Sequence, residues 1–436
     1  MTMRLVMPAR YPLKGTTRVP GDKSVTHRSI LFALLTQGGC RVVNRLHSED
    51  TNRSLEAIRC LGAVIHEHGD ELTIEAGEYP ATGSVAAEAS VTEIDCGNSG
   101  TTTRLLMGLL AGRQVRARLD GDDSLRSRPM ARVVDPLKAM GAKIRYLGED
   151  GRLPLEITGT TLMGTHHQLA VASAQVKSAL LLAGLDAQGT TSVSGGAGSR
   201  DHTERLLKTM GADLQLSVAT DCLTLKSGPC LEPYDMTVPG DPSSAAFLAA
   251  AASLIPGSEL TLIDILANPS RIGFFTEYPG DLSLALDPVE KIDPTGTIKV
   301  SAGRITARQY GGATIPAMID EIPMLAVLAA RAEGVTRIAD AEELRYKESD
   351  RISATIAGLQ ALGVAVEEHA DGMTIIGCPD EFPATEIAKI ETRGDHRIAM
   401  AFAVAGLASR AGVELDDDAC MAVSFPGFFE LLDTLQ

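Results

Sequence analysis

Six stretches of the chain share one design: a Gly- or Ser-rich polar lead-in, then a helix-length run that is apolar on every face. Landmarks at their starts are Ser24, Gly100, Gln175, Ser243, Asp320 and His396, spaced 76, 75, 68, 77 and 76 residues apart. A helix with no polar face belongs in an interior. Six of them at near-constant spacing predict a sixfold internal repeat whose interior elements are helices. At 436 residues the chain exceeds what one hydrophobic core holds, so two cores are expected. Five of the lead-ins carry Lys, Arg, Asp or Glu. A helix N-terminus is a half-positive site with free N–H groups, so six such ends, brought together, would suit a multiply anionic small molecule.

A second element interleaves with the first: an amphipathic helix, a Gly near its end, then two short strands around a polar turn. It recurs at Leu61-Gly62-Ala63, Met140-Gly141-Ala142, Met210-Gly211-Ala212 and Leu362-Gly363-Val364. Each Gly suits a left-handed C-cap, and alternation such as Glu71-Leu72-Thr73-Ile74-Glu75 suits a half-buried strand. From Gly211 to Gly363 is 152 residues, two periods, so one copy is altered. It falls near 271–300, where Pro279 in Tyr278-Pro279-Gly280-Asp281 would break the expected helix. The fold class expected is α/β: a two-domain, inside-out α/β barrel of six repeated helix-and-sheet units, with buried helices and outer sheets.

Val19-Pro20-Gly21-Asp22 returns 219 residues later as Val238-Pro239-Gly240-Asp241. Pro-Gly pairs punctuate chains, so two interdomain crossings are placed near 19–22 and 238–241. The domains expected are 1–20 plus 240–436, and 21–239, with the crossings as a hinge.

Composition narrows the function. A net charge of −16 and only 4% aromatic residues, with no Trp, disfavour nucleic-acid binding. An anionic ligand must then be held by a local cationic cluster against a repulsive overall field. The seven cysteines, Cys40, Cys60, Cys96, Cys222, Cys230, Cys378 and Cys420, contain no C-x-x-C pair and read as reduced and cytoplasmic. No apolar run is long enough to span a bilayer and no signal-peptide pattern opens the chain, so neither membrane nor export is expected. The nine His lack metal-ligand spacing, so no metal is expected.

The chemistry-bearing residues sit in the lead-ins. In Gly21-Asp22-Lys23-Ser24-Val25-Thr26-His27-Arg28, helical spacing puts Lys23 with His27 and Ser24 with Arg28, an anion clamp that alone fits a solvated helix start equally well. Gly97-Asn98-Ser99-Gly100, followed by Arg104, allows close backbone approach to a ligand. Arg126 and Arg128, Ser173-Ala174-Gln175, and Ser199-Arg200 add forks, hydroxyls and amides suited to phosphate. In the C-terminal half, Asp320-Glu321 opens an apolar run. Arg345 to Arg351, taken alone, reads as a salt-bridged exposed helix with Lys347 and Arg351 one turn apart. Arg393-Gly394-Asp395-His396-Arg397 leads straight into a buried run. Paired carboxyls and a Lys beside an anion serve as acid and base.

In order and spacing these motifs resemble the 5-enolpyruvylshikimate-3-phosphate (EPSP) synthase family over essentially the whole chain: Gly21-Asp22-Lys23-Ser24, Gly97-Asn98-Ser99-Gly100-Thr101, Arg128-Pro129, Ser173-Ala174-Gln175, Lys347-Glu348-Ser349-Asp350-Arg351 and Asp395-His396-Arg397. The resemblance implies transfer of the enolpyruvyl group of phosphoenolpyruvate to the 5-hydroxyl of shikimate 3-phosphate in a cleft between two domains, by a monomer with no cofactor. It implies that Lys23, Ser24, Arg28, Ser173, Ala174, Gln175, Ser199, Arg200, Asp320 and Lys347 bind shikimate 3-phosphate. Lys23, Gly100, Arg128, Gln175, Arg351 and Arg397 would bind phosphoenolpyruvate, the last two through its carboxylate. Asp320 would accept the 5-hydroxyl proton and Glu348 protonate the methylene, with Lys23 and Lys347 the other catalytic residues.

One departure is Val423-Ser424-Phe425-Pro426, where some members carry Lys-Thr-Phe-Pro; one cationic contact to phosphoenolpyruvate is absent. Gly at position 100 implies sensitivity to glyphosate, which occupies the phosphoenolpyruvate site in this family. Two other readings stand beside this one. The related UDP-N-acetylglucosamine enolpyruvyl transferase usually has a reactive Cys near the position of Arg126, and this chain has none there. An RNA 3'-phosphate cyclase would need a nucleotide-accepting His, for which His396 is the candidate. A non-catalytic anion-binding scaffold is disfavoured by Asp320, Lys347 and Glu348.

Overall fold

The six apolar runs form the helices Lys23–Leu31, Gly100–Ala111, Ala174–Asp186, Pro242–Leu254, Ile322–Ala330 and His396–Leu407. These come from a computed structural model of the chain that describes residues 3–86, 89–196, 198–228, 231–288 and 291–436. Every residue of the last three helices is buried, as helices without a polar face require. Five of the six are capped by a short polar side chain that accepts a backbone N–H: Asp22 from Val25, Ser99 from Thr102, Ser173 from Val176, Asp241 from Ser243, and Asp395 from Arg397. Each such cap is worth about 1 kcal/mol. A buried helix start has no water to satisfy its N–H groups, so the polar lead-ins are structural necessities before they are functional ones.

The chain divides into two units, Met1–Pro20 with Pro239–Gln436, and Gly21–Val238. Each unit surrounds three of the buried helices with three sheets. Five sheets share one four-stranded plan. In one of them, Val91–Asp95 runs parallel to Arg116–Asp120, which pairs antiparallel with Leu155–Thr158, which in turn pairs antiparallel with Lys143–Tyr146. The strands alternate, with one face on the helices and the other toward solvent, as in the burial of Glu71–Glu75. The arrangement is the inside-out α/β fold.

The sixth sheet has three strands: Ala388–Ile390 parallel to Val413–Leu415, and Arg4–Val6 antiparallel to Val413–Leu415. The chain's first strand thus stands where the other units use a strand of their own hairpin. Lys14–Thr17 likewise pairs with Glu259–Leu266, which ties the N-terminal segment to the C-terminal half. The two crossings run side by side, since the Asp241 N–H donates to Pro20 O at 2.9 Å.

The outer helices Glu49–Cys60, Ala131–Ala139, His202–Thr209 and Arg351–Ala361 are followed by Gly62, Gly141, Gly211 and Gly363 at φ +94°, +98°, +88° and +79°, the left-handed turn that glycine adopts without strain. In the altered copy the helix shrinks to the single turn Gly273–Thr276 before the strands Leu282–Leu286 and Thr295–Ser301; Val289 and Glu290 there lie outside the described residues. The 345–351 stretch departs from the expected helix. Glu342–Tyr346 is a 3-10 turn, Lys347 is extended, and a new helix begins at Arg351, which is 1% exposed. Burial of Arg351 among carboxyls overrides the helical charge spacing.

Among the described residues no single helix is long and apolar enough to cross a membrane; Gly312–Met318 with Ile322–Ala330 passes only as a pair bent by 109°. Cys40, Cys60, Cys96, Cys222, Cys378 and Cys420 are free thiols, and Cys230 lies outside the described residues.

Close helix packing yields a stability test. A Cβ on Gly108 would lie 2.2 Å from Ala179 O on the neighbouring helix. Gly108→Ala should therefore destabilise the Gly21–Val238 unit by about 1–3 kcal/mol through overpacking, despite alanine's better helix propensity. Urea unfolding with an unchanged or raised midpoint would contradict this.

Candidate active site

In the Gly21–Val238 unit, the starts of three buried helices are joined by one polar network. Lys23, at the first position of its helix, pairs with Asp50 of Glu49–Cys60. Arg28, 3% exposed, donates from Nε to Thr203 Oγ1 (2.8 Å), from Nη2 to Ser178 Oγ (3.1 Å) and from Nη1 to Ser24 O (3.0 Å). Arg200 Nη1 lies 3.5 Å from Ser24 Oγ. Gln175 ties two helices together, accepting from Arg104 Nη1 at 2.5 Å and donating to Thr101 Oγ1 at 2.9 Å. Arg128 donates to Asn98 Oδ1 at 2.5 Å, and an added Cβ on Gly100 would come within 3.4 Å of its Nη1 and 3.0 Å of Arg104 Nη1. Ser173 caps the helix that starts at Ala174. Ser199 Oγ donates to Gly196 O at 2.8 Å, and the Ser199 carbonyl accepts from Lys177, whose ammonium is also paired with Glu204 at 2.6 Å.

Hydrogen bonds link Ser24, Arg28 and Arg200 in one group and join Gln175 to the Gly100–Ala111 helix, whereas Lys23, Ser173 and Ser199 meet other partners. His27 departs from the expected clamp. It is buried and 2.8 Å from Ser54 Oγ, and burial lowers its pKa to about 3, with Asp50 opposing and Lys23 assisting. It is neutral and belongs to the core, not to an anion clamp.

The other unit holds a cluster of carboxyls around one guanidinium. Arg351 donates from Nε to Asp395 Oδ2 (2.8 Å), from Nη1 to Asp320 Oδ1 (3.1 Å) and from Nη2 to Glu348 Oε2 (2.5 Å). Burial alone would loosen its proton, but Asp395, Glu348 and Asp320 outweigh burial and hold it well above the ordinary guanidinium value. Lys347 donates to the same Asp320 oxygen at 3.4 Å, and Ser349 to Asp395 at 3.0 Å. Arg397 contrasts with Arg351. It is 5% exposed, and its Nε and Nη1 are buried with no hydrogen-bond partner among the described residues. Its guanidinium lies 5.9 Å from the Phe247 ring centre. Buried guanidinium N–H groups without acceptors are costly unless a ligand supplies them.

Several members of these networks escape a reading of the sequence. Asp50, Ser178 and Thr203 meet Lys23 and Arg28 only through tertiary packing. Arg271 lies in the altered repeat and is buried against Asp241 and Ser243, at 3.0 and 3.1 Å. The break in periodicity was the available signal for it.

Buried helix starts that carry guanidiniums, ammoniums and hydroxyls in one unit, and clustered carboxyls in the other, suit a group-transfer enzyme acting on small anions. The sequence pattern of the family described as EPSP synthase (3-phosphoshikimate 1-carboxyvinyltransferase) matches residues 8–432. A 3-phosphoshikimate 1-carboxyvinyltransferase of Syntrophotalea carbinolica is 45% identical over 427 residues, 97% of each chain. One of Chloroflexus aurantiacus is 42% identical over 438 residues, 99% of each. The solved EPSP synthase of Acinetobacter baumannii superposes with a TM-score of 0.86 at 36% identity, covering 99% of this chain and 98% of that one. The enolpyruvyl transferase NikO from Streptomyces tendae shares the fold, with a TM-score of 0.78 at 20% identity over 99% of this chain and 97% of that one. The chain belongs to the EPSP synthase family, which does not favour the UDP-sugar or RNA-cyclase readings.

His27 supplies a pH test. Its native pKa lies below the unfolded value of about 6.5, so the unfolded state takes up a proton that the native state refuses. Its contribution to stability is complete above pH 6.5 and is lost as pH falls toward about 3. His27→Gln should flatten the decline in unfolding free energy between pH 6.5 and 4 by up to about 1.4 kcal/mol per pH unit. Parallel curves for the two proteins would contradict a neutral buried His27.

Proposed function

We propose that this chain catalyses the reaction for which its family is named, moving the carboxyvinyl group of phosphoenolpyruvate to the 5-hydroxyl of shikimate 3-phosphate with release of phosphate. The observation that carries the reading is the pair of buried Arg397 nitrogens, Nε and Nη1, without hydrogen-bond partners among the described residues, in the same unit as the Asp320–Lys347–Glu348 cluster. A carboxylate that met Nε and Nη1 would supply the two hydrogen bonds that Arg397 lacks.

In this reading Asp320 takes the proton of the 5-hydroxyl as its oxygen attacks C2 of phosphoenolpyruvate, and Glu348 delivers a proton to the methylene carbon. The product is a tetrahedral intermediate carrying both phosphate and ether oxygen. Loss of a proton from the methyl group and departure of phosphate regenerate the double bond. Arg397 and Arg351 take the donor's carboxylate. Arg351 already gives four of its five N–H groups to three carboxyls, so a carboxylate that takes two N–H groups of Arg351 must displace one of those bonds. Lys23, Gly100, Arg128 and Gln175 take the donor phosphate. Ser24 and Arg28 take the shikimate carboxylate, and Ser173, Ala174, Ser199 and Arg200 the 3-phosphate. Cationic side chains and paired carboxyls supply each step, so the reaction is taken to need neither metal nor organic cofactor. The same reading makes the protein a cytoplasmic monomer without nucleic-acid or membrane partners, whose two crossings flex on binding; sedimentation, and small-angle scattering with and without substrates, test this.

The direct assay mixes the protein with shikimate 3-phosphate and phosphoenolpyruvate, without added metal or nucleotide, and follows phosphate. Release should require both substrates, and Asp320→Ala should lower kcat by about 10²- to 10⁴-fold, the usual worth of a general base. Release from phosphoenolpyruvate alone, or an undiminished variant, would overturn the reading. A second prediction concerns glyphosate. Gly100→Ala crowds the Arg104 and Arg128 guanidiniums, so it should raise both the glyphosate concentration needed for half-inhibition and KM for phosphoenolpyruvate. Inhibition unaltered by the substitution would show that Gly100 does not line that site.

A further inference from the structure

Glu321 is a buried carboxyl to which the reaction as described assigns no task. It is 2% exposed and precedes the helix Ile322–Ala330. One oxygen accepts from Ser243 Oγ, at the start of a second buried helix. Arg271 orders that hydroxyl in turn, donating to Ser243 Oγ and to the Asp241 cap. The other oxygen, Oε2, is buried with no hydrogen-bond partner among the described residues, as are Nε and Nη1 of Arg397. Arg397 is close enough to act electrostatically on Glu321, yet no hydrogen bond joins them.

We propose that Glu321 is a positioning residue for the enolpyruvyl donor: a buried, protonatable counter-charge to Arg397, held in place by Ser243 and Arg271, whose proton is taken up when the donor's carboxylate binds. The inference rests on the assignment of Arg397 to that carboxylate. The position of Glu321, beside Asp320 and within electrostatic reach of Arg397, carries the argument. Facing Glu321 or linked to its partners are Asp320 beside it, Asp241 and Ser243 on the Pro242–Leu254 start, Arg271 from the loop, Arg397 and Asp395 on the His396–Leu407 start, and Lys347, Glu348 and Arg351 around Asp320. An ionised Glu321 sets a second negative charge beside Asp320 and partly neutralises the Arg397 cation, opposing another anion there; a protonated one leaves that cation to the ligand. Burial first, and Asp320 second, push the Glu321 carboxyl above its ordinary value against Arg271, Arg397 and the Ser243 bond, so protonation is within reach. This also gives the altered repeat a role, because its shortened helix leaves Arg271 to hold a catalytic-side helix start.

The sign is fixed by linkage. A ligand anion beside Glu321 raises its affinity for a proton, so donor binding takes up that proton and weakens as pH rises through the Glu321 titration. The experiment measures KM for each substrate from pH 5.5 to 9 in the wild type, Glu321→Gln and Ser243→Ala. Glu321→Gln should match wild type at the acid end and bind phosphoenolpyruvate roughly three- to tenfold more tightly at the alkaline end, the scale of one neighbouring interior charge. KM for shikimate 3-phosphate should not move. Ser243→Ala removes a donor to the ionised carboxyl, so it should shift the inflection of the phosphoenolpyruvate profile upward in pH. The donor's own phosphate titration cancels in the ratio of variant to wild type. A ratio that is flat with pH, or an equal change in both KM values, would overturn the proposal and leave Glu321 a structural residue. Arg397→Ala, measured alongside, separates the two claims. Unchanged donor KM in that variant removes the assignment on which the proposal rests, whereas a raised donor KM with a flat Glu321→Gln ratio removes the proposal alone.

Discussion

Much of the C-terminal unit depends on the burial of Arg351 among Asp320, Glu348 and Asp395. Taking a guanidinium out of water costs several kcal/mol and is tolerated only when charge and geometry compensate. Here compensation comes from three segments: Asp320 precedes one buried helix, Asp395 caps another, and Glu348 lies just before the helix that Arg351 opens. The ion cluster therefore fixes the relative placement of three helix starts. Removing Arg351 would take a hydrogen bond from each of the three carboxyls, so Asp320 and Glu348, the groups proposed for proton transfer, are also tied to the packing of the unit. Such over-determination would hold the proposed catalytic carboxyls in place before substrate arrives.

The same logic explains why anion chemistry sits where it does. Helices with no polar face have only their ends at which to carry function, and a buried N-terminus must find acceptors for its N–H groups. Asp22, Ser99, Ser173, Asp241 and Asp395 provide them. Once polar lead-ins are obligatory, Lys23, Arg28, Gln175 and Arg397 can be added at the helix starts, and the binding roles proposed for them leave the apolar length behind undisturbed. The sheets, outside and half-exposed, carry none of the site residues.

The buried helices were legible in the sequence because nothing but an interior accommodates thirteen residues such as Pro242–Leu254, and the C-terminal glycines because only a left-handed turn calls for Gly at 62, 141, 211 and 363. Motif order was enough to name the family. What stayed hidden was tertiary. The spacing of Lys347 and Arg351 fits an exposed helix as well as a buried break, and no local pattern reveals that Arg351 faces three carboxyls. His27 reads as a cation beside Lys23 until burial shows it neutral. The three-stranded sixth sheet, completed by Arg4–Val6, joins residues some four hundred positions apart. Arg271 was visible only as a fault in the repeat.

The central claim is that Arg397 is a buried cation awaiting the enolpyruvyl donor's carboxylate. A crystal structure of the protein with shikimate 3-phosphate and a non-reacting phosphoenolpyruvate analogue tests it most directly. The account predicts the analogue's carboxylate oxygens within hydrogen-bond distance of Arg397 Nε and Nη1, with Arg351 still bonded to Asp395. An ordered analogue bound elsewhere, with Arg397 still unpartnered, would contradict it.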